Sequence, residues 1–340
     1  MQRRFINLVV TIGIIPLILS CQNTDLSQTI NSQEYDIFAK KAKDQIENQW
    51  FEKLSPELKE YYADAKGKTG EDLFKALHKI ISLNNKMESY TSSRAFLFSQ
   101  VENFTKSRNQ TGVMDGYSQI FIPGSGEFGE GYRELGDANK DGVFEDKINA
   151  EHTWPQSFYG KSLPMVSDLH ALQTVLSMPN IMRSDFPFGE VKKDITYTTI
   201  CGSRLSVLNN RGQVVKYSDA KNYLEMKQQA VEQNKDEVPN TEYRGVFEPC
   251  KDQKGNTARS MLYFYLRYFD MYIRQGSYNS DTFWKSKVVM FINWSEKIDP
   301  IDNREKTRNE IIYKKQGNRN PFIDIPELAS LIGERPFLRY

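Results

Sequence analysis

Two segments near the start of the chain carry apolar residues at the spacing of one helical face. The first covers residues 33–54, where apolar positions recur from Tyr35 to Trp50 with a period that predicts an amphipathic helix. The second follows Thr69, a residue type suited to cap a helix N-terminus. The apolar face of this second helix comprises Leu73, Leu77, Ile80 and Ile81.

The last third of the chain predicts further buried helices. A broad apolar face begins at Met261, and Gly276 can end that helix because glycine readily adopts the left-handed conformation of a C-terminal cap. The segment Phe283–Trp294 is again rich in apolar and aromatic residues and predicts another buried element. The broad apolar face comprises Met261, Leu262, Phe264, Tyr265, Tyr268, Phe269 and Tyr272. An aromatic stripe of this kind is more often core than a platform for stacking bases; it comprises Tyr263, Tyr265, Tyr268 and Tyr272.

The middle of the chain has no long helical period. Residues 117–150 are rich in turn formers and short strand-like runs. Residues 194–246 include a polar stretch, Gln228–Tyr243, which is typical of an insertion or an exposed arm. Helices on both sides of a short, irregular central segment predict an α+β fold, mainly helical, in a single domain over residues 34–340.

The N-terminus has the pattern of an export signal. Arg3 and Arg4 precede an apolar run, Phe5–Leu19, which is shorter than the ~20 residues that a membrane-spanning helix needs. Cys21 directly after this region resembles the lipidated cysteine of a bacterial lipoprotein. We therefore expect a signal peptide over residues 1–20, lipidation at Cys21, a polar tether over residues 21–33 and a membrane anchor in the periplasm or at the cell surface. Plain secretion and a buried N-terminal helix are the alternatives.

Composition narrows the class of protein, and charge limits its partners. With 39% hydrophobic and 12% aromatic residues the chain can form a soluble core. The 45 basic and 44 acidic residues exclude a basic, histone-like chain and an acidic low-complexity chain. Residues 1–20 contain two bases and no acid, so export processing leaves 43 basic and 44 acidic residues. In an exported protein, Cys201 and Cys250 can form a disulfide, or remain two separate thiols.

Candidate chemistry is concentrated between residues 149 and 190. Glu151 and His152 are adjacent, so on a strand their side chains point to opposite faces. A neutral imidazole is the natural base for activating water near neutral pH, whereas carboxylate and amide oxygens suit Mg²⁺ or Ca²⁺. Any such pair alone is more often a solvated Glu beside a hydrogen-bonded His.

Pro179 places the next polar residues on a short helix. Proline is tolerated mainly in the first helical turn, which predicts a helix from near Ser177 to about Ser184. Asn180 then lies near the start of this helix, and Arg183 follows one turn later. A strand with Glu151 and His152 beside a helix with Asn180 can surround one cation, and Arg183 can face the same phosphate.

Several motifs in this region together resemble the endonuclease I family of secreted or periplasmic nucleases. Residues 151–157 read Glu-His-Thr-Trp-Pro-Gln-Ser, residues 167–170 read Ser-Asp-Leu-His, and Asn180 opens Asn-x-x-Arg-Ser-x-x-Pro-Phe-Gly-Glu. The resemblance extends in order from about residue 65 to 332. It implies a ββα-metal (His-Me) finger embedded in the helical domain.

The resemblance also implies residue roles. His152 would be the general base, and Glu151 and Asn180 would bind one catalytic Mg²⁺. Asp168 and His170 also match family positions, and we expect them to hold the metal-binding residues in position without binding the metal themselves. Arg183 would contact phosphate, with simple structural hydrogen bonding as the alternative.

A second cation site is predicted ahead of the finger. Asp137, Asn139 and Asp141 have the spacing of the first half of a calcium loop. The twelfth position of that loop is Ile148 rather than Glu. An ordinary solvated turn is therefore the alternative to structural Ca²⁺.

The function expected from these features is an exported, Mg²⁺-dependent endonuclease. It would hydrolyse phosphodiester bonds in DNA, with RNA as a further candidate substrate, with little sequence specificity and with 5′-phosphate products. One alternative is a non-catalytic, calcium-stabilised surface binding lipoprotein on a nuclease scaffold, and another is a phosphatase or phosphodiesterase for small substrates. No protein partner is inferred. Residues that can line a phosphate groove, or merely solvate a face, are Arg308, Lys314, Lys315 and Arg319.

Overall fold

Helices and small antiparallel sheets alternate along the chain. The computed structural model describes residues 49–83, 85–86, 88–107, 110–124, 148–232 and 243–339. The predicted signal peptide at 1–20, the tether at 21–33 and the lipidation site Cys21 lie outside these residues. So do most of the first predicted helix and the predicted calcium ligands Asp137, Asn139 and Asp141.

The helices supply most of the regular structure. The first three precede the sheets, α4 and α5 lie among the strands, and the others follow the last strand. In chain order they are α1 (Pro56–Tyr61), α2 (Gly70–Ser82), α3 (Tyr90–Phe96), α4 (Ser177–Arg183), α5 (Tyr217–Glu232), α6 (Lys251–Tyr268), α7 (Val288–Asn293), α8 (Asn303–Gln316), α9 (Pro321–Asp324), α10 (Leu328–Ile332) and α11 (Glu334–Arg339).

The strands form three separate sheets, each with antiparallel pairing. The first sheet has the order β1–β2–β3, the second is the pair β4–β5, and the third has the order β6–β7–β8. In the second sheet Glu151 lies opposite Gln173, and His152 lies opposite Leu172. The strands are β1 (Phe104–Ser107), β2 (Gln110–Met114), β3 (Phe121–Pro123), β4 (Ile148–His152), β5 (Leu172–Leu176), β6 (Tyr197–Thr198), β7 (Arg204–Leu208) and β8 (Arg244–Glu248).

Helix α6 forms the centre of the hydrophobic core and holds the end of β4 in place. Trp154, two residues after β4, is fully buried, and its ring stacks on Phe264 of α6 at 5.2 Å between centroids. The indole N–H donates to the carbonyl of Ile273 at 2.9 Å. Burial of large aromatic side chains is the main stabilising term here, and it fixes the strand end that carries Glu151 and His152.

The predicted helices are largely confirmed, with corrections at their ends. Helix α2 begins after Thr69 and buries the predicted apolar face, but the Thr69 side chain makes no capping hydrogen bond. Helix α6 ends at Tyr268 rather than near Gly276, and Tyr272 is 84% exposed, so its assignment to the buried face is wrong. The chain turns after Tyr268 because Ile273 must enter the core and offer its carbonyl to Trp154.

The segment 194–246 is folded in the part that the structure describes. It contributes β6, β7, α5 and β8, and helix α5 packs against α4. Residues 228–232 of the stretch interpreted as an exposed arm belong to α5. The mixture of helices and small sheets confirms the α+β class. Within the described residues, no helix is both long and apolar enough to cross a membrane.

We expect Gly255→Ala in α6 to destabilise the protein, although this exchange normally favours a helix by about 1 kcal/mol. An added Cβ would lie 1.9 Å from the Asp299 carbonyl oxygen and 2.6 Å from a nitrogen of Arg259. Overpacking of this kind costs roughly 1–3 kcal/mol, which urea denaturation would measure. Lys251→Ala on the same helix is the control, since Lys251 is exposed. A Gly255→Ala variant as stable as the wild type would contradict this reading of the contact.

Candidate functional site

Two strands and a helix that are consecutive in the chain bring four of the predicted residues together. Strands β4 and β5 pair with each other, and α4 begins at the residue after β5. Pro179 lies in the first turn of α4, as predicted, where its missing N–H costs no hydrogen bond. A cavity of about 200 Å³ opens at this unit. Its lining includes Glu151, His152, Asn180 and Arg183.

Glu151 is buried and held through one of its two oxygens. Its Oε1 accepts a hydrogen bond from the Tyr117 hydroxyl at 2.9 Å and lies 3.2 Å from a guanidinium nitrogen of Arg183. Burial raises the pKa of Glu151 above its ordinary value, although the charge of Arg183 and the Tyr117 hydrogen bond act to lower it. With Oε1 anchored in this way, Oε2 is the oxygen available to a ligand in the cavity.

His152 is held as a neutral base with a defined tautomer. Its Nε2 lies 2.9 Å from the Val166 carbonyl, and because a carbonyl can only accept, Nε2 carries the proton. The lone pair is therefore on Nδ1. Burial lowers the pKa of His152 to about 4, so the ring is uncharged at neutral pH. A neutral imidazole with a fixed tautomer is the state that a general base requires.

Asn180 joins the strand residues from α4. It is half-buried and lines the same cavity. Its backbone carbonyl accepts a hydrogen bond from the N–H of Ser184, which holds the end of α4. One carboxylate and one amide are few protein ligands, as is usual for Mg²⁺, which keeps several waters. Within the described residues no group of three or more His, Cys, Asp or Glu forms a denser cluster.

Arg183 lies in the wall of the cavity rather than reaching into it. Its side chain is 1% exposed and lies over the Phe188 ring. It donates to the backbone carbonyls of His152 at 3.2 Å and Thr153 at 2.6 Å, and to that of Ser184 at 3.1 Å. These contacts correspond to the structural alternative: Arg183 ties α4 to the end of β4 and holds Glu151.

Asp168 and His170 lie behind the hairpin, in the core. Asp168 Oδ2 accepts from the hydroxyls of Tyr263 and Tyr268, at 2.8 and 2.7 Å. The Nε2 of His170 donates to the Asn318 carbonyl at 3.0 Å, since that oxygen can only accept. Neither side chain hydrogen-bonds to Glu151, His152 or Asn180 in the described residues, so their support is indirect, through the connection between β4 and β5.

Three polar residues near the site were not predicted from the sequence. Tyr117 anchors Glu151 from a turn 34 residues earlier in the chain. Lys161 follows β4 and is exposed at the cavity, and its charge helps to lower the pKa of His152, after the larger effect of burial. Lys227 reaches the cavity from α5. No motif marks these residues, because only the folded chain brings them to the site.

The two cysteines lie together at the far side of Tyr117. Both are free thiols, and the hydrogen bond between their sulfur atoms lowers the pKa of Cys201 and raises that of Cys250. Cys201 Sγ also donates to the Tyr117 carbonyl at 3.0 Å. This proximity is what a bridge between Cys201 and Cys250 needs, and the disulfide stays a prediction.

The four basic residues expected near a phosphate groove line no part of this cavity. Each has an acidic partner elsewhere on the described surface: Arg308 pairs with Glu102, Lys315 with Glu88, and Lys314 and Arg319 with Glu310. Arg308 also donates to two carbonyls of the β4–β5 region, those of Leu169 and Leu172. Since none of the four lines the cavity, none of them is placed to contact a phosphate bound there.

Comparison with known proteins points to one family. The model of the endonuclease I family matches residues 69–222 and 209–327. An extracellular ribonuclease of Bacillus subtilis (strain 168) is 30% identical over 287 residues, which cover 80% of this chain and 77% of that protein. An extracellular ribonuclease of Bacillus amyloliquefaciens is 28% identical over 293 residues, covering 82% and 79%. The matched residues include β4, β5 and α4.

The buried His170 makes stability depend on pH. Burial lowers the pKa of His170 to about 4 from its usual 6.5, so below pH 6.5 the unfolded chain binds a proton that the folded chain does not. The free energy of unfolding should therefore fall between pH 6.5 and 4, by up to about 1.4 kcal/mol per pH unit for this group. Urea denaturation across this range should give a shallower slope for His170→Phe, and an unchanged slope would contradict the prediction.

Proposed function

The chain belongs to the endonuclease I family, and on that premise we propose that it is an exported, metal-dependent endonuclease with little sequence specificity. The observation that carries the proposal is the meeting of Glu151, His152 and Asn180 in one cavity. Consecutive strands and a helix, β4–β5–α4, supply all three residues. We interpret this unit as a ββα-metal finger.

The donor set fits Mg²⁺. Glu151 would offer Oε2 and Asn180 its amide oxygen, and both are hard oxygen ligands. Anchoring of Glu151 Oε1 by Tyr117 and Arg183 fixes the direction of the carboxylate and so reduces the cost of ordering it. When bound, Mg²⁺ would stabilise the charge that develops on the phosphate and on the departing oxygen.

His152 supplies the base in this proposal. The Val166 carbonyl holds the proton on Nε2, so Nδ1 accepts the proton from the attacking water. Attack of that water on phosphorus breaks the bond to the 3′ oxygen, which takes up a proton from solvent and leaves as a 3′-hydroxyl, and the other end keeps a 5′-phosphate. Arg183 acts on this step only through position, because it holds the backbone of His152 and the carboxylate of Glu151.

The substrates that fit best are DNA and RNA. Family membership supports nucleic acid as the substrate, and the two similar proteins named extracellular ribonucleases support RNA alongside DNA. Contacts to the sugar-phosphate backbone position a strand without reading its sequence, which accounts for low specificity. The names of these relatives also support export, to which the N-terminal signal pattern adds a lipid anchor.

We expect purified protein to nick supercoiled plasmid DNA and to degrade RNA with Mg²⁺, and to do neither with EDTA. His152→Ala should reduce kcat by roughly 10²- to 10⁴-fold, the usual contribution of a general base. Glu151→Gln should weaken Mg²⁺ binding, so its activity should partly recover at high Mg²⁺ while that of His152→Ala does not.

His78→Ala is the matched control for these variants. The Nδ1 of His78 is hydrogen-bonded to the Leu266 carbonyl, and His78 does not line the cavity. His78→Ala should therefore cleave at the wild-type rate. Absence of cleavage by the wild type with any divalent ion would rule out the nuclease proposal and favour a binding protein. Full activity in His152→Ala would rule out the assignment of the base.

The lipid anchor has its own test. Cells supplied with a radioactive fatty acid should label the wild-type protein and leave Cys21→Ala unlabelled. Cys201→Ala is the control, because that cysteine lies in the folded domain and should not change labelling. Equal labelling of wild type and Cys21→Ala would remove Cys21 as the attachment site, and no label in either would favour plain secretion.

A further inference from the structure

The most buried cation beside the catalytic cavity is not available to a substrate. The two terminal nitrogens of Arg183 donate to three backbone carbonyls, one of them also contacts Glu151, and the remaining Nε is buried away from solvent. A phosphate group could reach it only if these buried contacts were broken. Since a nuclease must bind a polyanion, the positive groups that face the substrate have to come from other residues around the cavity.

Lys227 is one such residue, and α5 carries it. The buried Leu224 lies one turn earlier on the same helical face, which directs Lys227 towards α4 and the cavity. Its ammonium group lies 2.6 Å from Asp185 Oδ1, and the other oxygen of Asp185 accepts a hydrogen bond from Ser277 at 3.0 Å. An ammonium has three donors, so the ion pair positions Lys227 and leaves donors for a second anion.

The residue before Asp185 adds to this positioning. Ser184 has φ of 50° and ψ of −130°, a conformation that favours glycine. Its N–H donates to the Asn180 carbonyl and its carbonyl accepts from Arg183. Local strain of this kind persists when surrounding contacts over-determine it, and it is concentrated at functional sites.

Lys161 is the second cation, and it lies in the connection between β4 and β5. It is exposed, lines the same cavity, and has φ of 54° directly after Gly160 with φ of 60°. A side chain is rarely placed in the left-handed region without a reason. The backbone N–H of Lys161 donates to the Gln156 carbonyl at 3.0 Å, which holds this turn at the rim of the cavity.

We propose that Lys161 and Lys227 bind the backbone phosphates of the nucleic-acid strand that enters the cavity, so that the 194–246 segment supplies part of the substrate-binding surface. The inference rests on the proposed nuclease function. Lysine is a compact point charge that attracts phosphate without reading bases or the 2′-hydroxyl. The two lysines therefore serve DNA and RNA alike.

Equilibrium binding tests the proposal separately from cleavage. In a His152→Ala background with Mg²⁺, fluorescence anisotropy would follow a labelled, mixed-sequence single strand of DNA or RNA over a range of salt concentrations. Lys161→Ala and Lys227→Ala should each weaken binding by roughly tenfold. Each should also lower the slope of log affinity against log salt by about 0.7, the value for one phosphate contact on a single strand.

Matched variants separate local contact from overall charge. Lys221→Ala removes the same charge from the same helix, but Lys221 pairs with Glu225 and does not line the cavity. Lys221→Ala should therefore have the same slope of log affinity against log salt as the His152→Ala parent. Lys227→Arg should keep the slope as well, because it keeps the charge. In the active background, Lys161→Ala and Lys227→Ala should raise KM for nucleic acid while changing kcat less.

The outcomes distinguish the two proposals. Wild-type cleavage together with unchanged slopes in both lysine variants would overturn the phosphate contacts and leave the nuclease function in place. If Lys221→Ala loses as much affinity as the two lysine variants, the effect is one of general charge. If affinity is lost for DNA alone or for RNA alone, the lysines recognise the sugar. Either result would overturn the inference. If His152→Ala binds no nucleic acid and the wild type cleaves none, the nuclease proposal itself has failed.

Discussion

The buried guanidinium of Arg183 is the contact on which the geometry of the site depends. It joins α4 to the end of β4 through the carbonyls of His152 and Thr153, and it holds the carboxylate of Glu151 at 3.2 Å. A buried charge of this kind is stable only while its partners remain, since loss of one partner of a buried pair costs about 3–5 kcal/mol. This one side chain therefore ties the strand that carries His152 to the helix that carries Asn180.

The hairpin is supported from its other side by a hydrogen-bond network in the core. Asp168 accepts hydroxyl donors from Tyr263 and Tyr268 of α6 and an amide donor from Gln316 of α8. This network links the β4–β5 connection to the core helix α6 and to the polar buried face of α8. Motion of the hairpin would break several buried hydrogen bonds at once. The polar cavity is thus built on a rigid support, as preorganised catalysis requires.

Residues with strong local preferences made part of this site predictable from the sequence. Pro179 located α4 to within a residue, and the strand assumed for Glu151 and His152 is β4. Tyr117 and Lys227 could not be found this way, because their roles depend on contacts between distant parts of the chain. The burial of Arg183 was equally hidden, since a sequence shows the charge of a residue but not which carbonyls surround it. The prediction placed the end of α6 too late because it relied on Gly276. In the structure the chain leaves the helix earlier, and Ile273 is buried in the core with its carbonyl bound to Trp154.

The residues that line the cavity come from two separate parts of the sequence, and this affects how the protein can evolve. The hairpin and α4 form a contiguous stretch of sequence, whereas α5 enters the site from a segment that leaves and returns through the β6–β7–β8 sheet. Among the described residues, the pairing of β4 with β5 involves no residue of that segment, which contacts the hairpin indirectly, through the Tyr117 carbonyl that Thr199 and Ser203 hold. On the roles proposed for Lys227 and His152, capture of the strand and cleavage of the bond would be inherited, and could be engineered, as separate traits.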